Sequence, residues 1–192
     1  MPNPFRYSGV VSEENFCDRK QDLKFLLRSM ENREKLFIIS ERRMGKTSLV
    51  KLALDRLPEK EYIPVYVDLW ATDGEAGFAK ALAKSITEAT ENTADKALKF
   101  ARDFFQSLMP VIGIDSEGKP ELKFQLQSSV LAGQDLAEFF QVPEKAAERS
   151  GKKAVVVFDE FQRILEYESD RMERLLRSVI QHHQNTAYVF LG

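Results

Sequence analysis

Apolar residues recur along this chain in two rhythms, and the switches between them order the predicted elements. Leu23, Leu26, Leu27 and Met30 fall at i, i+3, i+4 and i+7, so a helix opening at Asp18 presents one buried stripe. Lys35 to Ile39 then carries four apolar residues in succession, the pattern of a strand buried on both faces of a parallel sheet. Helical spacing returns at Val50, Ala53, Leu54 and Leu57 and stops at Pro58. Residues 64–70, PVYVDLW, form a second strand, and Thr72-Asp73-Gly74 introduces a helix that buries Phe78, Leu82 and Ile86. Another helix over about 95–108 buries Phe100, Phe104 and Leu108.

The rhythm changes to period two over about 111–127, where Leu122, Phe124 and Leu126 share a face and residues 115–120 supply a turn, predicting a β-hairpin inserted between helices. A helix starts near Gln134, with Pro143 kinking it or opening a new segment. Ala154 to Phe158 is a strongly apolar strand whose end is acidic. Ser169 caps a helix carrying Met172, Leu175, Leu176 and Val179, and 187–191 is a last short strand. Residues 1–15, with Pro2, Pro4 and Gly9, are expected to be an irregular arm.

Composition changes this picture little. The 192 residues, 43% hydrophobic, suffice for one substantial core and are expected to form one domain. A net charge of -2 gives no global attraction to nucleic acid or anionic membrane. No apolar run approaches the roughly 20 residues that span a bilayer, and the first residues lack an apolar signal segment. The single cysteine, Cys17, forms no intrachain disulfide and fits a reducing compartment, so a cytoplasmic location without membrane attachment is expected.

Candidate chemistry centres on residues 40–48, SERRMGKTS, between the first strand and the helix after it. A loop of this kind offers a polyphosphate its backbone N–H groups, a helix N-terminus and a lysine, and offers magnesium a hydroxyl. The spacing G-x-x-x-x-G-K-[ST] is met except at its first position, occupied by Ser40. If that position demands positive φ, serine costs roughly 1–2 kcal/mol, less than several charge-assisted bonds to phosphate. A triphosphate site also needs an acid at the tip of a neighbouring buried strand. Asp159 follows Ala154 to Phe158 at the carboxyl edge of the expected sheet, and Glu160 is the natural water-activating base.

On these residues the chain resembles the P-loop ATPases first noted in archaea, which sit close to AAA+ initiators and STAND signalling NTPases. The resemblance rests on Asn3-Pro4-Phe5, Phe16-Cys17-Asp18-Arg19, Arg42 to Leu49, and Val157 to Gln162, with the paired arginines before Gly45-Lys46-Thr47 and the run Asp159-Glu160-Phe161-Gln162 the most specific parts. It implies an α/β three-layer sandwich of ASCE type, mainly parallel, in which an extra strand separates the phosphate-loop strand from the acidic strand. The order of the chain, with 64–70 between the two, accords with that.

The resemblance also implies roles. Lys46 would bind the β and γ phosphates of ATP, Thr47 and Asp159 would hold Mg2+, and Glu160 would polarise the attacking water. The loop from Ser40 through Glu41, Arg42, Arg43, Met44 and Gly45 to Ser48 would wrap the phosphates, with Phe16 and Arg19 near the adenine. Cys17 and Asp18 stand where the family usually has glycine before arginine. Related ATPases continue beyond the strand that ends at Gly192 into a further strand, a helical lid and often a winged helix. The expectation is therefore an incomplete sheet, a shortened chain and slow hydrolysis.

Other features have plainer readings. Arg171, Arg174 and Arg177 interleave with Asp170 and Glu173, as on a solvated salt-bridge face. His182-His183 lacks companions at metal-ligand spacing. Cys17, although beside a helix start, is expected to pack. The expected function is an Mg-dependent ATPase driving a conformational switch. The alternatives are a nucleotide-gated module that signals to a protein partner or a second copy with little hydrolysis, or an initiator-like ATPase that reaches DNA through regions outside this chain.

Overall fold

A computed structural model describes residues 19–41, 44–91, 93–115, 117–126, 133–167 and 170–192, with backbone alone at 94 and 133–135. The expected arm at 1–15, Phe16, Cys17, Asp18, Arg42, Arg43 and the Ser169 cap lie outside the described residues.

In chain order the elements are α1 (Lys20–Glu31), β1 (Lys35–Ile38), α2 (Lys46–Asp55), β2 (Tyr62–Asp68), α3 (Gly74–Thr90), α4 (Ala94–Phe104), β3 (Leu108–Ile114), β4 (Pro120–Leu126), α5 (Gly133–Ser150), β5 (Lys153–Asp159), a 3-10 helix (Phe161–Glu166), α6 (Arg171–Ile180) and β6 (Thr186–Leu191). Strands β1, β6, β5 and β2 pair in that spatial order and run parallel, so their carboxyl ends share one edge.

The strand separating β1 from β5 is β6, the last of these in the chain, and not the segment 64–70. That segment belongs to β2, on the far side of β5. The burial explains the placement. Every residue of β6 is buried, as required of a strand paired on both edges and covered on both faces, whereas β2 ends on the exposed Asp68. Parallel neighbours need long crossovers, which uncouples chain order from spatial order.

One sheet face is covered by α1 and α2, whose Leu23, Leu26, Met30, Leu49, Val50, Ala53 and Leu54 meet Val155, Val157, Ala187, Val189 and Leu191. On the other, α3, α5 and α6 bury Phe78, Phe139, Phe140, Met172 and Leu176 against Val65, Val67, Phe158, Tyr188 and Phe190. The three layers follow from strands that are apolar on both faces and helices that are apolar on one.

Strand β1 departs from the expected burial. Leu36 and Ile38 are half-buried toward α1 and α2, but Phe37 is 60% exposed, and Ile39 beyond the strand end is 83% exposed. The cause is position: β1 lies at the sheet edge and has helical cover on one face. Phe37 compensates by stacking on Phe190 at 4.5 Å between ring centroids.

The hairpin forms from β3 and β4 as a separate antiparallel pair, and its buried Leu122 and Phe124 pack into the α3/α5 side of the core. Lys84 of α3 pairs with Glu121 beside them. Helix α5 continues through Pro143 and does not restart there.

Candidate functional site

The loop between β1 and α2 sits at the carboxyl edge of the sheet. Gly45 turns the chain into α2 with φ +71, a left-handed conformation that glycine adopts without Cβ strain. The N-cap position is held by Gly45, which offers no side-chain bond to this helix start, and a helix N-terminus of this kind favours an anionic oxygen. Lys46 Nζ reaches back across the loop to the carbonyls of Ser40 at 2.5 Å and Glu41 at 3.5 Å. A lysine held over the loop by neutral carbonyls can exchange them for anionic phosphate oxygens, which bind an ammonium more strongly.

Ser40 does not carry the expected strain. Among the described residues, the non-glycine positions with positive φ are Arg33 and Glu160, so Ser40 adopts an ordinary conformation and the strain penalty is absent. Arg19, at the start of α1, donates through Nη1 to the Met44 carbonyl at 2.8 Å and through Nε to Asp22 at 2.7 Å. It thus braces the loop main chain.

Strand β5 ends on Asp159, 6% exposed. Thr47, 112 residues earlier, donates its hydroxyl to Asp159 Oδ2 at 2.7 Å. The same oxygen accepts the Tyr66 hydroxyl at 2.5 Å, and Oδ1 accepts the Glu160 N–H at 2.9 Å. Burial, and then the neighbouring Asp159 carboxylate, push the Tyr66 phenol well above the ordinary tyrosine range, so it remains a donor. Lys51 of α2 lies over the Tyr66 ring, 4.4 Å from its centroid.

Glu160 itself sits at φ 55, ψ 41, in a left-handed conformation uncommon for a side chain with a Cβ. Its Oε2 accepts from Gln162 Nε2 at 2.6 Å. Lys46, Thr47, Asp159 and Glu160 therefore lie at the carboxyl ends of β1 and β5 or at the start of α2. Ser48 is buried in the first turn of α2.

Two residues without a role in the sequence argument enter here. Tyr66 has the look of a core aromatic in an apolar strand. The available signal was its place two residues before the end of β2, on the face turned to α2. Gln162 closes the Asp159–Gln162 run, whose pattern alone does not reveal its bond to Glu160.

Oxygen donors suit a hard cation. Among the described residues no group of three or more His, Cys, Asp or Glu side chains forms a metal cage. The Thr47 hydroxyl beside one carboxylate fits instead the way magnesium is held, by few protein oxygens together with substrate phosphates and water.

A second buried acid lies at the opposite, amino edge of the sheet. Glu144 of α5, 8% exposed, accepts from the N–H groups of Gln184 and Asn185 at 2.9 Å and from the Thr186 hydroxyl at 2.7 Å. Burial raises its pKa, but these bonds outweigh burial and hold it below the ordinary carboxylate value. Beside it, His183 Nδ1 contacts the Tyr188 hydroxyl at 2.8 Å and Nε2 contacts Gln141 at 3.2 Å. Burial lowers the His183 pKa. The arginines of α6 pair on the surface, Arg174 with Asp170 and Arg171 with Glu75.

The strand order β1-β6-β5-β2, with a loop leading from β1 into α2, defines an α/β domain of the P-loop ATPase class. The chain belongs to the family described as ATPase domains predominantly from Archaea, matched over residues 16–190. Among solved structures it is similar to the Walker-type ATPase PABY2304 of Pyrococcus abyssi, with 20% identity and a TM-score of 0.58 over 99% of this chain and 49% of that one. It is also similar to the Aeropyrum pernix ORC2 protein, solved in ADPNP–ADP complexes, with 14% identity and a TM-score of 0.55 over 98% of this chain and 44% of that one. The chain thus spans about half the length of either structure. No match was found among curated proteins. No helix among the described residues is long and apolar enough to cross a membrane.

Proposed function

We propose that this chain binds ATP with Mg2+ at the β1–α2 loop and hydrolyses it to ADP and phosphate, and that turnover drives a conformational switch. The observation that carries this reading is the 2.7 Å bond between Thr47 and Asp159, two distant residues meeting at the carboxyl edge beside the start of α2. In this reading Lys46 leaves the Ser40 carbonyl for the β and γ phosphates. Thr47 and Asp159 hold the cation, which when bound neutralises charge on the phosphate oxygens. Glu160 orients a water and accepts its proton as the water oxygen bonds to the terminal phosphorus and ADP departs. By the resemblance, residues 40–45 and Ser48 would contact the phosphates, and Phe16 and Arg19 the base. Kinship with AAA+ and STAND proteins, and a cytoplasmic location, belong to the same proposal.

The test separates binding from turnover. Lys46→Ala should abolish nucleotide binding, whereas Glu160→Gln should bind ATP and fail to hydrolyse it. Equal loss of binding in both variants would refute this division of roles.

One observation favours a second reading, a nucleotide-gated module that signals to a protein partner or a second copy. One oxygen of Glu160 accepts from Gln162 and its backbone is held in a left-handed conformation, so the direction of the carboxylate is set by a residue that a partner's contact would displace. Turnover well below about 1 per second, at the low end of ordinary enzymes, and accelerated by a partner would favour the module. Turnover above that rate by the isolated chain would favour the autonomous enzyme.

A further inference from the structure

The geometry points to Tyr66 as a positioning residue for magnesium: its hydroxyl fixes the Asp159 carboxylate and, through it, the direction in which Thr47 offers its oxygen to the cation. The inference rests on the ATP–magnesium reading above and deepens it.

A carboxylate oxygen has two in-plane lone-pair directions, and Asp159 Oδ2 has both occupied, by Thr47 at 2.7 Å and Tyr66 at 2.5 Å. The other oxygen takes the Glu160 N–H at 2.9 Å. Three donors from three elements stop the carboxylate from rotating about its Cβ–Cγ bond. With Tyr66 in one direction, Thr47 is confined to the other. A threonine hydroxyl that spends its proton on Asp159 has its lone pairs left for a cation. The Tyr66 bond thereby helps fix the direction of the Thr47 hydroxyl and of its lone pairs.

Tyr66 is itself held for this task. It stands on β2, whose Asp68 is paired in register with Asp159, and its ring lies under the Lys51 ammonium on α2. The phenol is thus anchored from both elements that flank the acid. A tyrosine kept there for packing alone would not require its hydroxyl to end on the same carboxylate oxygen that holds Thr47.

Tyr66→Phe removes this oxygen and leaves the ring. The experiment measures affinity for a nonhydrolysable ATP analogue by calorimetry, with magnesium and with EDTA, in the unsubstituted protein, Tyr66→Phe, Asp159→Asn and the double variant. The expected result is that magnesium tightens binding by the unsubstituted protein, that Tyr66→Phe loses about tenfold of that gain with its EDTA affinity unchanged, and that Tyr66→Phe adds nothing further once Asp159→Asn is present. A magnesium gain that survives Tyr66→Phe would overturn the inference. So would a parallel fall in both affinities with a lowered melting temperature, which is the signature of a merely structural role. An additive double variant would overturn it also. Absence of binding by the unsubstituted protein would overturn the ATP reading along with it, and is distinguishable from the other outcomes.

Discussion

The two edges of the parallel sheet each bury an acid against hydrogen-bond donors, yet the donors differ in kind. At the amino edge, Glu144 is met mostly by N–H groups, from Gln184 and Asn185, which can donate and do nothing else. At the carboxyl edge, Asp159 Oδ2 is met by two hydroxyls, Thr47 and Tyr66, which keep lone pairs after donating. The first arrangement is closed, because the N–H groups have no lone pair to offer and the Thr186 hydroxyl beside them is fully buried, so it ties α5 to the turn before β6. The second can take up a cation while keeping its bonds. Burial of a carboxylate is thus no mark of function; what matters is whether its partners have anything left to offer a ligand.

Four measurements test whether that contrast holds. The largest effect belongs to Lys46→Ala. Loss of two or more charge-assisted bonds, at roughly 1.5–3 kcal/mol each, should weaken ATP binding by at least about a hundredfold, as read by calorimetry. The melting temperature should hardly move, because the lysine's partners in the folded protein are loop carbonyls.

Glu144→Ala should do the converse. Orphaned N–H groups at the amino edge should cost roughly 2–4 kcal/mol, lowering the melting temperature by roughly 2–4 °C for each kcal/mol, while nucleotide affinity below the transition stays unchanged. Equal damage to affinity in this variant would dissolve the distinction between the two edges.

A smaller effect is expected from pH. The His183 pKa is lowered from an ordinary 6.5 by burial first, then by Lys35 and His182, against an opposing pull from Glu144. Glu144 also sits below its ordinary value of 4.5, despite burial, through its bonds to Thr186, Gln184 and Asn185. For groups depressed in the folded state, stability is fully present above the unfolded values and is lost as pH falls through the folded ones. The melting temperature should therefore decline from about pH 6.5 downward, and further below about pH 4.5. His183→Gln should flatten the upper part of that decline in a series of thermal melts, and an unaltered slope would remove His183 from the account.

The smallest effect concerns Ser40. Its conformation is unstrained, so Ser40→Gly should change ATP affinity by less than about threefold. A substantially tighter glycine variant would mean that the loop adopts another conformation around nucleotide.

How far the sequence led differs along the same contrast. The loop, its helix and the Asp159-Glu160 pair were legible because each is a short local pattern: a glycine at a turn, a lysine at a helix start, acids after an apolar run. Strand existence was legible for the same reason. Strand neighbours were not, since β6 enters between β1 and β5 through a crossover that leaves no local trace, and 64–70 lies between them only in chain order. The exposure of Phe37 followed from this edge position of β1 and could not be read from an apolar run. Tyr66 and Glu144 were invisible for one reason: each acts across more than 35 residues, and neither residue type marks its own role. Tyr66 reads as strand core, and Glu144 as one more charge on a helix.

The most direct measurement is a calorimetric titration of the intact chain with a nonhydrolysable ATP analogue in magnesium, repeated in EDTA and with Lys46→Ala. The account predicts saturable one-to-one binding that weakens without magnesium and disappears with Lys46→Ala. Binding indifferent to both magnesium and Lys46, or no binding by the unsubstituted chain, would contradict it.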